Sequence, residues 1–266
     1  AARILGKNQV ALIGAIGKDE IGRTQLRILR NEHILTPGIK VSRQSESGQA
    51  YIAVDNKGRN VIHTLFGANT DITAEDFRNK KISGLVEGSH AVVVIDPPMD
   101  AIEEIISQAW EAGKTVIWDA GVRSKLGLEA LRDLLKRVDY LVLNEVEYEN
   151  VFGTFFSEDA QGIPQLQEMK PKILVKLGER GAMLFDRGRM IKAEGINLGR
   201  FGLKVVNTVG CGDAFLGAFA SYLSLGKNEE ECLAMANLAG AFKATRPETR
   251  GSPTEKQLMD LMKRIQ

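Results

Sequence analysis

The segment Asn207-Thr-Val-Gly-Cys-Gly-Asp213 combines two glycines and a carboxylate immediately before an apolar helical pattern. The backbone N–H groups of residues 210–213 can then point together at a helix N-terminus, where the helix dipole favours an oxyanion or a phosphate. A carboxylate beside such an anion nest could accept a proton from an attacking hydroxyl group. The structural alternative makes Asp213 a helix N-cap and the glycines a tight turn.

Other polar side chains follow apolar stretches that predict strands. Asp96 precedes Pro97, and open α/β sheets bind ligands beyond the carboxyl ends of their strands, although Asp-Pro is also a common start of a turn. Asn144 and Glu147 stand at the start of a predicted helix, where acidic residues also favour the helix dipole without any ligand. Each of these positions keeps a structural alternative.

Val175-Lys-Leu-Gly-Glu-Arg-Gly-Ala182 places Lys176 between an apolar strand pattern and two glycines. Glycine lets the backbone approach a ligand closely, and the lysine would supply positive charge. A plain β-turn explains the same residues, so this segment predicts a phosphate contact only in combination with others.

The hydrophobic pattern predicts the scaffold that must position these residues. Short apolar runs alternate with helical spacing, which implies a mostly parallel sheet with helices on both faces. The predicted strands are 10–16, 91–95, 115–118, 139–143, 172–177 and a pair within 181–193. The predicted helices are 19–30, 99–112, 126–136, 145–152, 212–225, 229–245 and 254–265.

A predicted hairpin interrupts this alternation. Residues 50–54 and 60–65 favour strands, and the Asn and Gly within 55–59 suit the turn between them. The hairpin could act as a flap over a site or be a surface feature without a role. Because no linker or repeat divides the chain, we predict one domain with a small β excursion.

Composition excludes several classes of protein. The 35 Lys+Arg and 34 Asp+Glu residues give a net charge of +1, so nothing favours a nucleic acid or a membrane surface as partner. No apolar run reaches the roughly 18 residues of a membrane span. The two cysteines favour a reducing compartment, and we therefore expect a cytoplasmic protein.

Five segments together resemble one known family. Gly210-Cys-Gly-Asp-Ala-Phe-Leu-Gly-Ala-Phe219 is similar to the carboxy-terminal signature D-T-x-G-A-G-D-x-F of the ribokinase-like (PfkB) carbohydrate kinases. The other segments follow in family order: Phe66-Gly-Ala-Asn69, Leu143-Asn-Glu-Val-Glu147, Val175–Ala182 and Ala244–Pro253. They cover nearly the whole chain, so the resemblance is more specific than any single glycine motif.

The resemblance implies a ribokinase-like α/β fold and an ATP-dependent kinase that phosphorylates a primary hydroxyl group of a small sugar. Asp213 would be the base that activates the sugar hydroxymethyl group. Asn144 and Glu147 would help to position Mg²⁺ through its waters. Phosphoryl transfer needs mainly alignment and neutralisation of charge on the γ-phosphate. That neutralisation would come from an anion hole formed by Gly210, Cys211 and Gly212.

The resemblance also implies two groups of binding residues. Lys176, Gly178 and Gly181 would lie beside the phosphates and the base of the nucleotide. Asn237 would face the adenine, although an Asn on a helix usually belongs to a polar face. Asp96 and Asn69 would contact the sugar.

Two residues depart from the family's signature. Its first Asp belongs in many members to a monovalent-cation site, and Asn207 stands there in this sequence, which argues against activation by K⁺. Cys211 replaces the common Ala. A thiol at a helix N-terminus can have a lowered pKa, so its modification would block the anion hole; alternatively, Cys merely substitutes for a small residue.

The start of the chain also differs from the family. Members normally begin with a strand, a part of the lid and a glycine-rich segment that contacts the sugar, and none of these precedes Ala1. Residues 1–6 resemble the end of the helix that follows that segment. We predict one domain over residues 1–266 that lacks this N-terminal part, unless the sequence simply starts late. The lid would span 42–66 and, as in several members, form a homodimer interface.

Two alternatives accompany the sugar kinase hypothesis. A nucleoside kinase uses the same fold, since the family serves both ribose and ribosides. A non-catalytic sensor of sugars or nucleotides belongs to another class of protein. The departures at Asn207 and at the N-terminus favour the sensor, whereas Asp213 opposes it because a binding-only protein needs no base.

Overall fold

The computed structural model describes residues 1–54, 60–158 and 169–265 of the chain. Its strands, in chain order, are β1 (Ala11–Gly17), β2 (Leu35–Ser42), β3 (Gln49–Val54), β4 (Asn60–Leu65), β5 (Ala91–Ile95), β6 (Thr115–Asp119), β7 (Tyr140–Asn144), β8 (Lys172–Lys176), β9 (Gly181–Asp186) and β10 (Arg189–Glu194). Its α-helices are α1 (Ala2–Leu5), α2 (Glu20–Asn31), α3 (Ala74–Phe77), α4 (Lys80–Glu87), α5 (Met99–Glu111), α6 (Gly127–Leu135), α7 (Glu145–Phe152), α8 (Cys211–Ser224), α9 (Glu229–Ala244) and α10 (Glu255–Ile265).

The main sheet has six strands in the order β10-β9-β8-β7-β6-β5. Strands β5 to β8 are parallel, whereas β8, β9 and β10 pair antiparallel. The parallel strands are apolar runs such as Leu141, Val142 and Leu143, which are buried on both faces of the sheet. The predicted mostly parallel sheet is confirmed.

Side chains that alternate along each strand divide the core into two layers. Trp118 of β6 belongs to one layer, with apolar residues of α4, α5, α6 and α7. Its neighbour Ile117 belongs to the other layer, with residues of α8, α9 and α10. Helices therefore cover both faces, as the alternating pattern predicts.

A second, two-stranded parallel sheet forms outside the main one. β1 pairs with β2, a strand that the sequence reading did not predict because Pro37 and Gly38 favour a turn. The apolar run 10–16 predicts a buried strand, but the first half of β1 is not buried, since Leu12 is exposed. Only Ala15 and Gly17 of β1 are buried.

The predicted hairpin strands are confirmed as the antiparallel pair β3–β4, while the predicted turn at 55–59 lies outside the described residues. The base of this hairpin is held by polar contacts. Ser47 donates its N–H and its hydroxyl to the Asp19 carboxylate, at 2.6 and 2.8 Å. Since Asp19 also caps α2, the hairpin base is tied to the end of β1.

Candidate active site

Four polar residues meet at the carboxyl edge of the parallel strands. The register pairs Ile95 with Asp119 between β5 and β6, and Asn144 with Lys176 between β7 and β8. Asp96 directly follows β5. Carboxyl ends of parallel strands share one edge, so the topology brings together residues that are up to 80 positions apart.

An ion pair forms the centre of this edge. Lys176 Nζ lies 2.6 Å from Asp119 Oδ2, and both side chains are largely buried. The Lys176 ammonium also lies 3.8 Å from the position that a Cβ on Gly212 would take. The sequence predicts a contact between Lys176 and nucleotide phosphates, but Asp119 was not among the predicted site residues. Its position at the end of an apolar strand, which it shares with Asp96, was the signal that could have indicated it.

The N-terminus of α8 approaches this ion pair. Gly210 is the N-cap of α8 with φ 85°, a left-handed conformation that favours glycine. Asp213 lies in the first turn, and its surface is accessible to solvent although neighbouring protein atoms partly desolvate the carboxyl group. Since Gly210 holds the cap position, the alternative in which Asp213 is the N-cap is wrong. Asp213 is thus accessible to a substrate.

Neighbouring charges perturb the carboxyl groups of this edge. Partial burial, and then the charge of Asp119, raise the pKa of Asp213 above its usual range, while Lys176 opposes this rise. Burial raises the pKa of Asp96 and of Glu147 as well, and Asp119 adds to both. A carboxylate with a raised pKa is a stronger base, which suits proton abstraction.

Asn144 and Glu147 form a reciprocal capping box at the start of α7. The Glu147 N–H donates to Asn144 Oδ1 at 2.9 Å, and the Asn144 N–H donates to Glu147 Oε2 at 2.7 Å. Helix capping therefore uses one oxygen of each side chain. A metal ion or its waters would contact the polar atoms of Asn144 and Glu147 that lie outside the capping box.

The carboxyl edge fits Mg²⁺ held mainly by phosphates and water. Among the described residues, no group of three or more His, Cys, Asp or Glu residues could hold a metal ion by itself. Mg²⁺ typically binds through one or two carboxylates while keeping several waters. Glu147 and Asp119 provide carboxylates, and they lie close enough to each other and to Lys176 to interact electrostatically.

Asp96 is held in an unusual backbone conformation against the next loop. Its φ is 47°, which costs free energy for a residue other than glycine. The Val122 N–H donates to Asp96 Oδ1 at 3.0 Å. A Cβ on Gly121, whose φ is 46°, would overlap the Asp96 carboxylate. These contacts fix the carboxylate at the strand end.

The other predicted binding residues surround this edge in structural roles. Asn237 Nδ2 donates to the Glu194 carbonyl at 2.7 Å and ties α9 to β10. A Cβ on Gly181 would overlap the Ala193 carbonyl, so this glycine permits the close pairing of β9 and β10, whereas Gly178 with φ 60° faces open space. Asn69 lies at the hairpin base, where Nδ2 donates to the Phe66 carbonyl at 2.8 Å.

The thiol of Cys211 differs from the expectation for a helix N-terminus. Burial raises its pKa, the charge of Lys243 lowers it and that of Asp213 raises it again. The lowered pKa that a helix N-terminus can produce is therefore not found, because desolvation of the thiolate outweighs the charge of Lys243. Asn207, four residues earlier in the chain, accepts the Val209 N–H and donates to the Pro247 carbonyl, at 2.9 and 2.8 Å.

A cavity of about 470 Å³ lies elsewhere, between α9, α10 and the segment before Asn207. Leu203, Phe242 and Arg246 are among its lining residues, and none of the polar residues of the carboxyl edge lines it. The convergence of charged groups, and not cavity size, therefore identifies the candidate site.

Comparisons with known proteins agree with this arrangement. A family model described as pfkB family carbohydrate kinase matches residues 1–257. The chain is 24% identical to ribokinase from Haemophilus influenzae, over 98% of this chain and 83% of that protein. Its structure is similar to that of Arabidopsis thaliana ribokinase complexed with ribose and ATP, with a TM-score of 0.86 and 25% identity over 98% of this chain and 84% of that one.

A third comparison concerns a structure with a bound metal ion. The putative ribokinase II from E. coli in complex with ATP and Mg²⁺ has a TM-score of 0.81 and 20% identity, over 99% of this chain and 85% of that one. This chain therefore shares its fold with a protein whose structure holds both ATP and Mg²⁺.

Proposed function

This chain belongs to the pfkB family of carbohydrate kinases and is an ATP-dependent kinase, and from this premise we propose that it transfers the γ-phosphoryl group of ATP to a primary hydroxyl group of a small sugar. The observation that carries the proposal is the position of Asp213. Its carboxylate lies in the first turn of α8, beside the glycine turn and close enough to the Asp119–Lys176 pair for both charges to alter its pKa.

In this proposal Asp213 accepts the proton of the sugar hydroxyl group as the oxygen attacks the γ-phosphorus. The N–H groups of Gly210 and Gly212, at the positive end of the α8 dipole, face the charge that develops on the phosphoryl oxygens, whereas the Cys211 N–H donates to the Thr208 carbonyl at 3.1 Å. Lys176 adds positive charge next to Gly212. Alignment and charge neutralisation of this kind supply most of the catalysis in phosphoryl transfer.

The remaining residues take binding roles in the proposal. Gly178, Gly181 and Asn237 form the nucleotide side, and Asp96 and Asn69 the sugar side. Asn144 and Glu147 would hold Mg²⁺ through its waters, and Mg²⁺ would supply neutralisation of charge on the phosphates when bound. For that purpose Asn144 keeps its amide nitrogen and Glu147 keeps its second carboxylate oxygen, because the capping box uses the other oxygen of each side chain.

The proposal extends to the organisation of the chain. We infer that residues 1–266 form one domain whose lid spans 42–66, that a second copy of the chain covers the lid, and that the protein is cytoplasmic. No described helix is long and apolar enough to cross a membrane. The balanced charge supports a small molecule and not a nucleic acid as the acceptor.

Asp213→Ala tests the assigned base. We expect kcat to fall by about 100- to 10,000-fold, the usual contribution of general base catalysis, while the affinity for ATP stays within a few-fold. The measurements are a coupled assay of ADP release over a panel of sugars and nucleosides, and calorimetry of ATP binding. The panel also separates a sugar kinase from a nucleoside kinase.

Asp133→Ala is the matched control, because Asp133 is an exposed carboxylate on α6 that pairs with Lys136 at the surface. Near wild-type turnover by Asp213→Ala would remove Asp213 from the mechanism. A wild-type protein that binds ATP but phosphorylates no sugar or nucleoside of the panel would instead support the hypothesis of a non-catalytic sensor.

A further inference from the structure

Lys243 is a fully buried lysine next to the proposed anion hole. It lies near the end of α9 with 0% of its surface exposed. Its Nζ donates to the Asn207 carbonyl at 3.0 Å and to the Arg246 carbonyl at 3.4 Å. Among the residues that the structure describes, no carboxylate lies within ion-pair distance of this ammonium group, so backbone carbonyls compensate its charge.

These carbonyls belong to the two segments that meet at Gly210. Asn207 begins the glycine turn, and Arg246 begins the loop before α10. A Cβ on Gly210 would lie 2.6 Å from the Thr249 carbonyl oxygen of that loop and 3.5 Å from Lys243 Cε. The lysine therefore runs directly beneath the turn and joins it to the loop.

Burial of a cation without a counter-ion costs free energy unless dipoles replace its hydration shell. A natural protein keeps such a group where its charge contributes to function or fixes a conformation. Here the positive charge of Lys243 acts on the proposed anion hole, because it opposes the rise that burial causes in the pKa of the Cys211 thiol at the start of α8. Asn207 adds no negative charge that would cancel it.

Backbone carbonyls around a single positive charge are also the ligands that proteins use for K⁺. We propose that the Lys243 ammonium is a built-in cation that holds the 207–210 turn in its anion-binding conformation, so that the enzyme needs no monovalent cation. Lys243 is thus a positioning residue for the reaction assigned above, and this inference rests on that proposed function for its catalytic readout.

Two substitutions of Lys243 separate its charge from its packing. Lys243→Ala removes the ammonium and leaves space for a small cation, whereas Lys243→Met removes the charge but fills most of the space. The wild type and both variants are assayed at equal ionic strength in the chlorides of K⁺, NH₄⁺ and tetramethylammonium. Thermal unfolding of each protein is followed in the same salts without substrates.

We expect wild-type kcat to agree within about twofold in the three salts. Lys243→Ala should lose at least tenfold in kcat in tetramethylammonium chloride and regain at least fivefold in NH₄⁺ or K⁺. Lys243→Met should show the loss without the recovery. The unfolding temperature of Lys243→Ala, and not of the other two proteins, should rise with K⁺ or NH₄⁺.

Three outcomes overturn the inference. The first is a wild-type kcat that rises tenfold or more with K⁺. The second is a Lys243→Met variant whose kcat is unchanged. The third is a folded Lys243→Ala variant in which small cations restore neither kcat nor the unfolding temperature. If both variants fail to fold, the wild-type salt series decides. If the wild type phosphorylates no substrate, the proposed function fails, and the unfolding measurements still decide the role of Lys243.

Discussion

Asp119 is a negative charge at the centre of the carboxyl edge, where burial already raises the pKa of the neighbouring carboxyl groups. Its carboxylate pairs with Lys176 at 2.6 Å and raises the pKa of Asp96, Glu147 and Asp213. At ordinary sheet edges such a cluster of carboxylates would be unfavourable. Its presence here indicates that the edge is built to receive positive charge.

Asp119→Asn tests this arrangement through the pH dependence of kcat/KM. A base must be ionised to act, so activity falls as the pH drops through the pKa of Asp213. The substitution removes a like charge that raises this pKa, and it frees Lys176, which lowers it. The acid limb of the profile should therefore move to lower pH, whatever happens to the maximal rate.

The control for this profile is Asp133→Asn on the surface of α6, which should leave the acid limb in place. An acid limb that stays fixed or moves upward in Asp119→Asn would mean that Asp213 is not the group whose ionisation limits the reaction.

At the scale of the elements, the loops after the parallel strands position the Asp96 carboxylate. Asp96 and Gly121 both have positive φ, and their loops touch where the Gly121 backbone faces the Asp96 carboxylate. The Val122 N–H adds a hydrogen bond at 3.0 Å. The end of β5 is thus positioned by the loop that follows β6.

Gly121→Ala should displace the Asp96 carboxylate because the new methyl group overlaps it. We expect KM for the sugar to rise about tenfold or more, with KM for ATP changed much less. Steady-state kinetics with each substrate varied in turn measures this difference.

Gly113→Ala provides the matched control for backbone strain. Gly113 has φ 66° and open space at the Cβ position, so both variants carry the roughly 1–2 kcal/mol cost of a left-handed alanine. Both should unfold at similarly lowered temperatures. Equal sugar KM values in the two variants would show that Asp96 does not contact the sugar.

At the scale of the whole molecule, the hairpin β3–β4 leaves apolar side chains in solvent. Tyr51 is 57% exposed and Val61 60% exposed, and the register places them two pairs apart, on the same face of the hairpin. An exposed apolar sheet surface favours association. The proposed second copy of the chain would cover it.

Val61→Glu tests that association. A charged side chain at the centre of a proposed dimer interface should weaken the dimer by at least tenfold in Kd, measured by sedimentation at several protein concentrations. Leu225→Glu is the control, since Leu225 is 56% exposed at the far end of α8. A wild type that sediments as a monomer at all concentrations would refute the lid dimer.

The sequence by itself determined the order of strands and helices from β5 to α10, because apolar runs and helical spacing record which faces must be buried. It also marked the glycine turn before Asp213 and the strand-end positions Asp96 and Asn144. It did not predict β2, where Pro37 and Gly38 oppose a strand that pairing with β1 nevertheless stabilises.

Only the tertiary structure decided which charges meet. Asp119 and Lys176 are 57 residues apart and pair because β6 and β8 flank β7. Lys243 is indistinguishable in sequence from a lysine on a solvated helix face, and its burial depends on how α9 packs beneath the glycine turn. Desolvation likewise depends on the folded surroundings, which is why the pKa of Cys211 is raised and not lowered.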